Sequence, residues 1–325
     1  MRALVWHGEA RLGLEELEEP VVADGQVALD VRLAGICGSD LHGYRGHPGP
    51  RRPPLVLGHE AVGTVPGRSG RFTVFPLVAC GECAACERGD ANLCEQRGLL
   101  GLDRPGVFAE RVAVGEDQLV PIPDTLDDRA AVLAEPLATS VAALRTSAHP
   151  EADPVLVLGA GPIGLLAIFL CTARGRRAVV VEPLPARRAQ ARALGADVVH
   201  ADAAALEPRA FDLALDAVAV EASWTAAIDT VRSGGEVVVI GLGQDAGTLP
   251  VGQLVRRGVT VRGHYAYARE DFETALALLG DAPPELDWLT ILDLQFGAEG
   301  FRRLVEEPDS TIKVVLSVPD PEGGP

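Results

Sequence analysis

The chain has 325 residues, 47% of them hydrophobic, and a formal net charge of −17. That length allows two domains of ordinary size, and that charge argues against a nucleic-acid or anionic-membrane partner. Lys313 is the only lysine among 29 basic residues, so Schiff-base chemistry has one candidate, and its strand-like setting in "TIKVVLSV" sets that chemistry aside.

In chain order, the first half reads as short strands. "MRALVWH", "GQVALDVRLAGI", "GVFAERVAV" and "QLVPIP" are β-rich and separated by Gly, Pro and Asp turns. The opening "MRALVWHGEARLGLEELEEP" lacks the long apolar core of a signal peptide, which predicts a cytoplasmic protein. From Val155 the pattern changes. "PVLVLG" leads into an apolar helix, "RAVVVEP" leads into the helical spacing of "PARRAQARALGA", and "FDLALDAV" and "GGEVVVIG" follow at similar intervals. Alternating strand and helix predict a doubly wound parallel sheet. After Tyr267 one helix, "EDFETALALLG", and one final strand are expected, with "PDPEGGP" as a frayed tail. The uncharged run Val155–Ala173 is nineteen residues long, close to a membrane span, but three glycines and a proline within six positions fit strand, turn and helix.

Clustered cysteines in a cytoplasmic chain point to metal before disulfide. Cys80, Cys83, Cys86 and Cys94 have the spacing C-x2-C-x2-C-x7-C, which fills a tetrahedral zinc and leaves no open position, so this site is structural. Cys37 in "GICGSDLHGY" and His59 in "GHE" are each able to bind zinc, as is Glu60; spacing alone leaves open whether they meet. Cys171, inside the apolar helix, reads as a small buried hydrophobe.

"VLVLGAGPIG" carries Gly159-x-Gly161-x-x-Gly164 between a strand and a helix, the context of a dinucleotide turn. The first glycine permits the turn, the second the approach of the pyrophosphate and the third helix–strand packing, with the helix N-terminus, opened by Pro162, offering N–H groups from Ile163 onward. Glu182 ends the next strand 23 residues after Gly159, where a carboxylate accepts from ribose hydroxyls and repels a 2′-phosphate, favouring NAD over NADP. Arg187 and Arg188 pull the other way, since arginine receives that phosphate. Gly241 and Leu242, in "VVVIGLG", complete the candidate cofactor-binding residues.

Taken together, "GICGSDLH", "GHE", the four-cysteine lobe, "AEPLA" at 134–138 and "GAGPIG" resemble, in that order, the zinc-dependent medium-chain dehydrogenases of the sorbitol, butanediol and threonine dehydrogenase branch. The resemblance implies a GroES-like β-barrel catalytic domain interrupted by a Rossmann domain: residues 1–137 catalytic, with the lobe at 80–94; 138–270 Rossmann; 271–325 a return to the catalytic domain. It also implies two zinc ions per chain. Cys37 and His59 resemble the constant ligands of the catalytic zinc and Glu60 the third, while Glu135 sits where the family places a fourth ligand or the residue holding the metal-bound water. One of the two glutamates is expected to be loosely held, because a catalytic zinc needs an open position. Asp40 resembles the carboxylate that orients the zinc-bound histidine. Ser39 and His42 resemble a proton relay from alcohol to solvent.

The expected activity is hydride transfer between a secondary alcohol or polyol and NAD, with the ketone as product and the nicotinamide held at an interdomain cleft. A homodimer or homotetramer is implied by the resemblance. An NADP-linked sugar or aldehyde dehydrogenase and a non-catalytic dinucleotide-binding relative remain as alternatives. The chain departs from the family twice. Only nineteen residues separate Glu60 from Cys80, so one barrel turn is expected to be cut short. "DAVAVEAS" also lacks the glycine the family commonly has after its fourth Rossmann strand.

Overall fold

The computed structural model describes residues 1–47 and 49–319. They form two compact units: Met1–Glu135 with the chain from Leu279 onward, and Pro136–Leu278. Residues 320–325 of the expected tail lie outside the described residues.

The first unit is built on a seven-stranded sheet. Its strands run in the order Leu119–Ile122, Arg71–Val74, Glu60–Thr64, Gln26–Gly35, Lys313–Ser317 and Leu289–Asp293, with Arg111–Gly115 also paired to Gln26–Gly35. Gln26–Gly35 buries Leu29 and Val31 by strand alternation, and a register shift between Val31 and Leu33 resets the phase before Ala34. Leu29, Phe108, Phe301 and Leu316 meet in one buried core. The segment expected to be cut short survives as a hairpin. Glu60–Thr64 pairs with Arg71–Val74 (Val62 opposite Thr73), and Gly67 and Gly70 take positive φ of 76° and 89° in the connection.

The end of the chain differs from expectation. Helix Gly297–Glu306 and strand Leu289–Asp293 join the expected helix Arg269–Asp281 and final strand Lys313–Ser317. "GAEGFRRLVE" has two glycines in its first four positions and so a weak helical signal. Packing of Phe301 and Leu304 into the core supplies what propensity lacks. Strand Leu289–Asp293 then pairs parallel to Lys313–Ser317, with that helix as the crossover.

The second unit is a six-stranded, all-parallel sheet in the order Val198–His200, Ala178–Val181, Val155–Leu158, Phe211–Asp216, Val231–Val239 and Thr260–Gly263. Strand order reverses between Val155–Leu158 and Phe211–Asp216, the switch point where doubly wound sheets bind ligands. The uncharged run resolves into strand Val155–Leu158 and helix Pro162–Ala173. Among the described residues no helix is long and apolar enough to cross a membrane. Cys171 is fully buried, and burial pushes its thiol up to about 11.

The missing glycine of "DAVAVEAS" leaves a mark. Ala219 holds φ of 58°, its N–H donating to Asp216 Oδ1 at 2.9 Å and its carbonyl accepting from Gln244 at 2.8 Å. A left-handed alanine costs about 1–2 kcal/mol, of which glycine's extra unfolded-state freedom cancels about 0.5–1. Ala219→Gly is therefore expected to stabilise the second unit by about 0.5–1 kcal/mol. A urea midpoint that does not rise counts against strain at this position.

Candidate active site

Three donors converge in the first unit. A ligand atom from each of Cys37, His59 and Glu60 lies within 4.8 Å of the other two. Strand pairing brings them together. Glu60 sits opposite Gly35, and Cys37 follows two residues later as the N-cap of helix Gly38–Tyr44. Gly35 is required there: a Cβ on it would stand 1.9 Å from the Glu60 carboxylate. His59 and Glu60 are almost fully buried. Burial pushes the Cys37 thiol up to about 11, the Glu60 charge adds to this, and Lys313 opposes it. A buried thiol, an imidazole and a carboxylate suit a divalent cation, which would oppose that shift and favour the thiolate. The donor set fits zinc. Glu135, buried in the first turn of helix Ala134–Arg145, stands outside this three-residue set.

Asp40 accepts from the Cys37 N–H at 3.1 Å through Oδ2, while Oδ1 lies 3.8 Å from His59 Nδ1, too long for a hydrogen bond. Asp40 Oδ1 and His59 Nδ1 are both buried without a hydrogen-bond partner. Ser39 and His42 are three residues apart on helix Gly38–Tyr44 and share one face.

Two residues escape the sequence patterns. Lys313, set aside as a Schiff-base candidate, is 1% exposed, and its Nζ donates to Ile36 O at 2.9 Å and to the Glu60 carboxylate at 2.6 Å. Burial pulls its ammonium down, but the charges of Glu60 and Cys37, the Glu60 hydrogen bond and the Glu135 charge outweigh it and hold the group above the ordinary lysine value. Lys313 thus supplies the positive charge beside the buried Glu60 carboxylate. A solitary lysine in an otherwise apolar strand was the available signal. Arg51 is 4% exposed, with Nε donating to Gly101 O at 3.2 Å and Nη2 to Ser39 Oγ at 3.5 Å. Nothing in its surroundings in "PGPRRPPL" distinguishes it from a surface arginine.

The cysteine lobe closes as its spacing implies. Cys83 is the N-cap of the short helix Ala84–Glu87, which turns Cys86 back toward it. Sγ separations are 3.6 Å for Cys83–Cys86, 3.5 Å for Cys94–Cys80 and 3.9 Å for Cys80–Cys86. Four sulfurs about 2.3 Å from a tetrahedral zinc stand about 3.8 Å apart, so the four thiols fit that ion. The Cys86 backbone N–H brings the Cys83 thiol down to about 6.

In the second unit the glycine turn has the geometry of its motif. Gly159 has φ of 88°, and a Cβ on Gly164 would lie 1.9 Å from Gly159 O, so the helix packs on the strand only with glycine there. A Cβ on Gly161, the N-cap before Pro162 and Ile163, would meet only Arg187 Nη1, at 3.8 Å. That leaves open backbone beneath an arginine, a setting suited to phosphate. Glu182 is buried and tied to the turn: Oε2 accepts from Ala160 N and Oε1 from Leu184 N, each at 2.8 Å. Arg188 instead donates to the carbonyls of Glu182 and Pro183. Gly241 packs where a Cβ would stand 2.5 Å from the Val218 backbone, and Leu242 beside it is exposed.

Comparison with known proteins agrees with this architecture. Residues 23–124 match the alcohol dehydrogenase GroES-like domain, and residues 162–281 the zinc-binding dehydrogenase domain. The chain is 32% identical to (R,R)-butanediol dehydrogenase of Bacillus subtilis, over 97% of this chain and 99% of that one. An Escherichia coli CFT073 alcohol dehydrogenase complexed with NADH superposes with a TM-score of 0.87 at 26% identity, covering 98% of this chain and 99% of that one. A zinc-binding dehydrogenase of Sinorhizobium meliloti 1021 bound to NADP does so with a TM-score of 0.85 at 25% identity, covering 97% and 98%.

Proposed function

Because the chain belongs to the zinc-dependent medium-chain alcohol dehydrogenase family, we propose that it oxidises a secondary alcohol or polyol, and reduces the matching ketone, with NAD as hydride carrier. The observation that carries this reading is the convergence of Cys37, His59 and Glu60 beside the helix bearing Ser39 and His42. When bound, zinc at those three residues supplies a Lewis acid for the substrate oxygen, and the nicotinamide supplies the hydride acceptor. The chain's own residues do the rest. Ser39 Oγ takes the hydroxyl proton as its own proton passes to His42 and on to solvent. Lys313 fixes the Glu60 carboxylate. Gly159, Gly161 and Gly164 open the turn that receives the pyrophosphate. A second, structural zinc at Cys80, Cys83, Cys86 and Cys94, and assembly as a cytoplasmic homodimer or homotetramer, complete the reading.

The test is metal content with a substrate panel. Two zinc ions per chain and reduction of NAD by butane-2,3-diol, sorbitol or a simple secondary alcohol are expected. One zinc and no reduction with any of them overturns the assignment and favours a structural relic.

Arg187 beside Gly161 favours NADP as a second reading, and Glu182 decides between the two. Its carboxylate attracts ribose hydroxyls and repels a 2′-phosphate. Glu182→Ala is expected to shift the ratio of kcat/KM for NAD over NADP about tenfold or more toward NADP, near 1.4 kcal/mol. Both values should also fall, since Ala160 N and Leu184 N lose their acceptor. An unchanged ratio, or a parent that already prefers NADP, removes Glu182 from cofactor choice.

A further inference from the structure

Arg51 has no part in the reaction described above, yet it is a buried cation in contact with one of the residues that does. Its guanidinium is held from several sides. Nε donates to Gly101 O at 3.2 Å, Nη2 lies 3.6 Å from Asp40 Oδ1, and its Cδ fills the space a side chain on Gly43 would need, 3.2 Å from that glycine's would-be Cβ. Gly43 belongs to the same helix as Ser39 and His42. A group fixed this way keeps Nη2 aimed at Ser39 Oγ, 3.5 Å away. That contact is long, as such contacts often are before substrate tightens them.

The valence of a hydroxyl gives the contact its meaning. Ser39 has one O–H to donate and two lone pairs to accept with, whereas arginine only donates. With Arg51 on one lone pair, the O–H cannot turn toward the guanidinium. One lone pair and one outward proton remain, which is what a one-proton relay needs: the lone pair forms a new O–H bond with the proton leaving the substrate hydroxyl, while the old O–H bond breaks toward His42. Protons balance and no electrons are lost from the relay. Lysine cannot substitute fully, because its compact ammonium does not span Gly101 and Ser39 as a planar fork does.

We propose that Arg51 is a positioning residue that occupies one lone pair of Ser39 Oγ and so fixes the direction of proton transfer along helix Gly38–Tyr44. This rests on the reading of Ser39 as the relay, and the experiment separates the two. Arg51→Gln, Ser39→Ala and the double variant are compared with the parent in kcat, in KM for the alcohol, and in melting temperature.

Arg51→Gln is expected to lower kcat by about 10–100-fold, the loss a misplaced reacting group brings, with KM changed less than about threefold. The double variant should be no slower than Ser39→Ala, and the two melting-temperature losses should fall short of additivity by about 2–4 °C. If Arg51→Gln does not fold, Arg51→Lys carries the same comparison, with a loss in kcat of about tenfold at unchanged KM. Rate losses that multiply and melting losses that add, or parent kcat in Arg51→Lys, overturn the proposal. Parent kcat in Ser39→Ala removes the relay itself, and the role of Arg51 with it.

Discussion

Lys313→Met is expected to destabilise the metal-stripped protein by about 3–5 kcal/mol, the usual cost of removing one partner from a buried ion pair. The ammonium is 1% exposed and 2.6 Å from a carboxylate that is itself fully buried. Methionine matches the volume but leaves Glu60 without its counter-charge and Ile36 O without its donor. The loss should depend on metal. A divalent cation bound by Cys37, His59 and Glu60 replaces the lysine as the positive charge beside Glu60, so the same substitution costs less in the zinc-loaded protein. The measurement is the difference in unfolding free energy between parent and variant, once with chelator and once with zinc. Equal losses in the two conditions would show that Lys313 and the metal do not share Glu60.

What could be read in advance followed the range of the interactions. The clustering of the lobe's thiols was legible because it is local: two-residue gaps bring thiols together whatever surrounds them, and the observed sulfur separations would suit a tetrahedron. The dinucleotide turn was legible because strand, glycines and helix are contiguous. Cys37 and His59 meet only through strand pairing across Gln26–Gly35, which spacing cannot express; family resemblance supplied that step. Lys313 and Glu60 are 253 positions apart and become neighbours because the final strand lies on one side of Gly35 and Glu60 on the other. Arg51 carries no local signal, since its partners Ser39, on helix Gly38–Tyr44, and Gly101 lie in other parts of the chain. Helix Gly297–Glu306 was lost to its glycines, and the backbone at Ala219 is one that alanine rarely adopts. In each case tertiary packing overrode a weak or contrary local preference.

The two cysteine-bearing sites should respond in opposite ways to the same chemical change. Cys37→Ser replaces a thiolate donor of the open three-residue cluster with a weaker ligand. Turnover should fall at least about a thousandfold, because a Lewis acid contributes several kcal/mol to the transition state. The chain should keep one zinc and melt near the parent temperature, since strand pairing, and not the metal, brings Glu60 and His59 into place. Cys86→Ser opens the closed lobe instead. Its sulfur stands 3.6 Å from that of Cys83 and 3.9 Å from that of Cys80, so one corner of the tetrahedron is lost. Under the proposed structural zinc, a lobe with so little secondary structure of its own would depend on the ion to hold its shape. Melting should fall by roughly 10 °C, the equivalent of about 3–4 kcal/mol in a protein of this size class, while the surviving folded fraction still turns over alcohol. Zinc content, melting temperature and kcat are measured on both variants. Retained turnover in Cys37→Ser with one zinc per chain removes Cys37 from the catalytic metal site, and a parent-like melt in Cys86→Ser shows that the lobe stands without its ion.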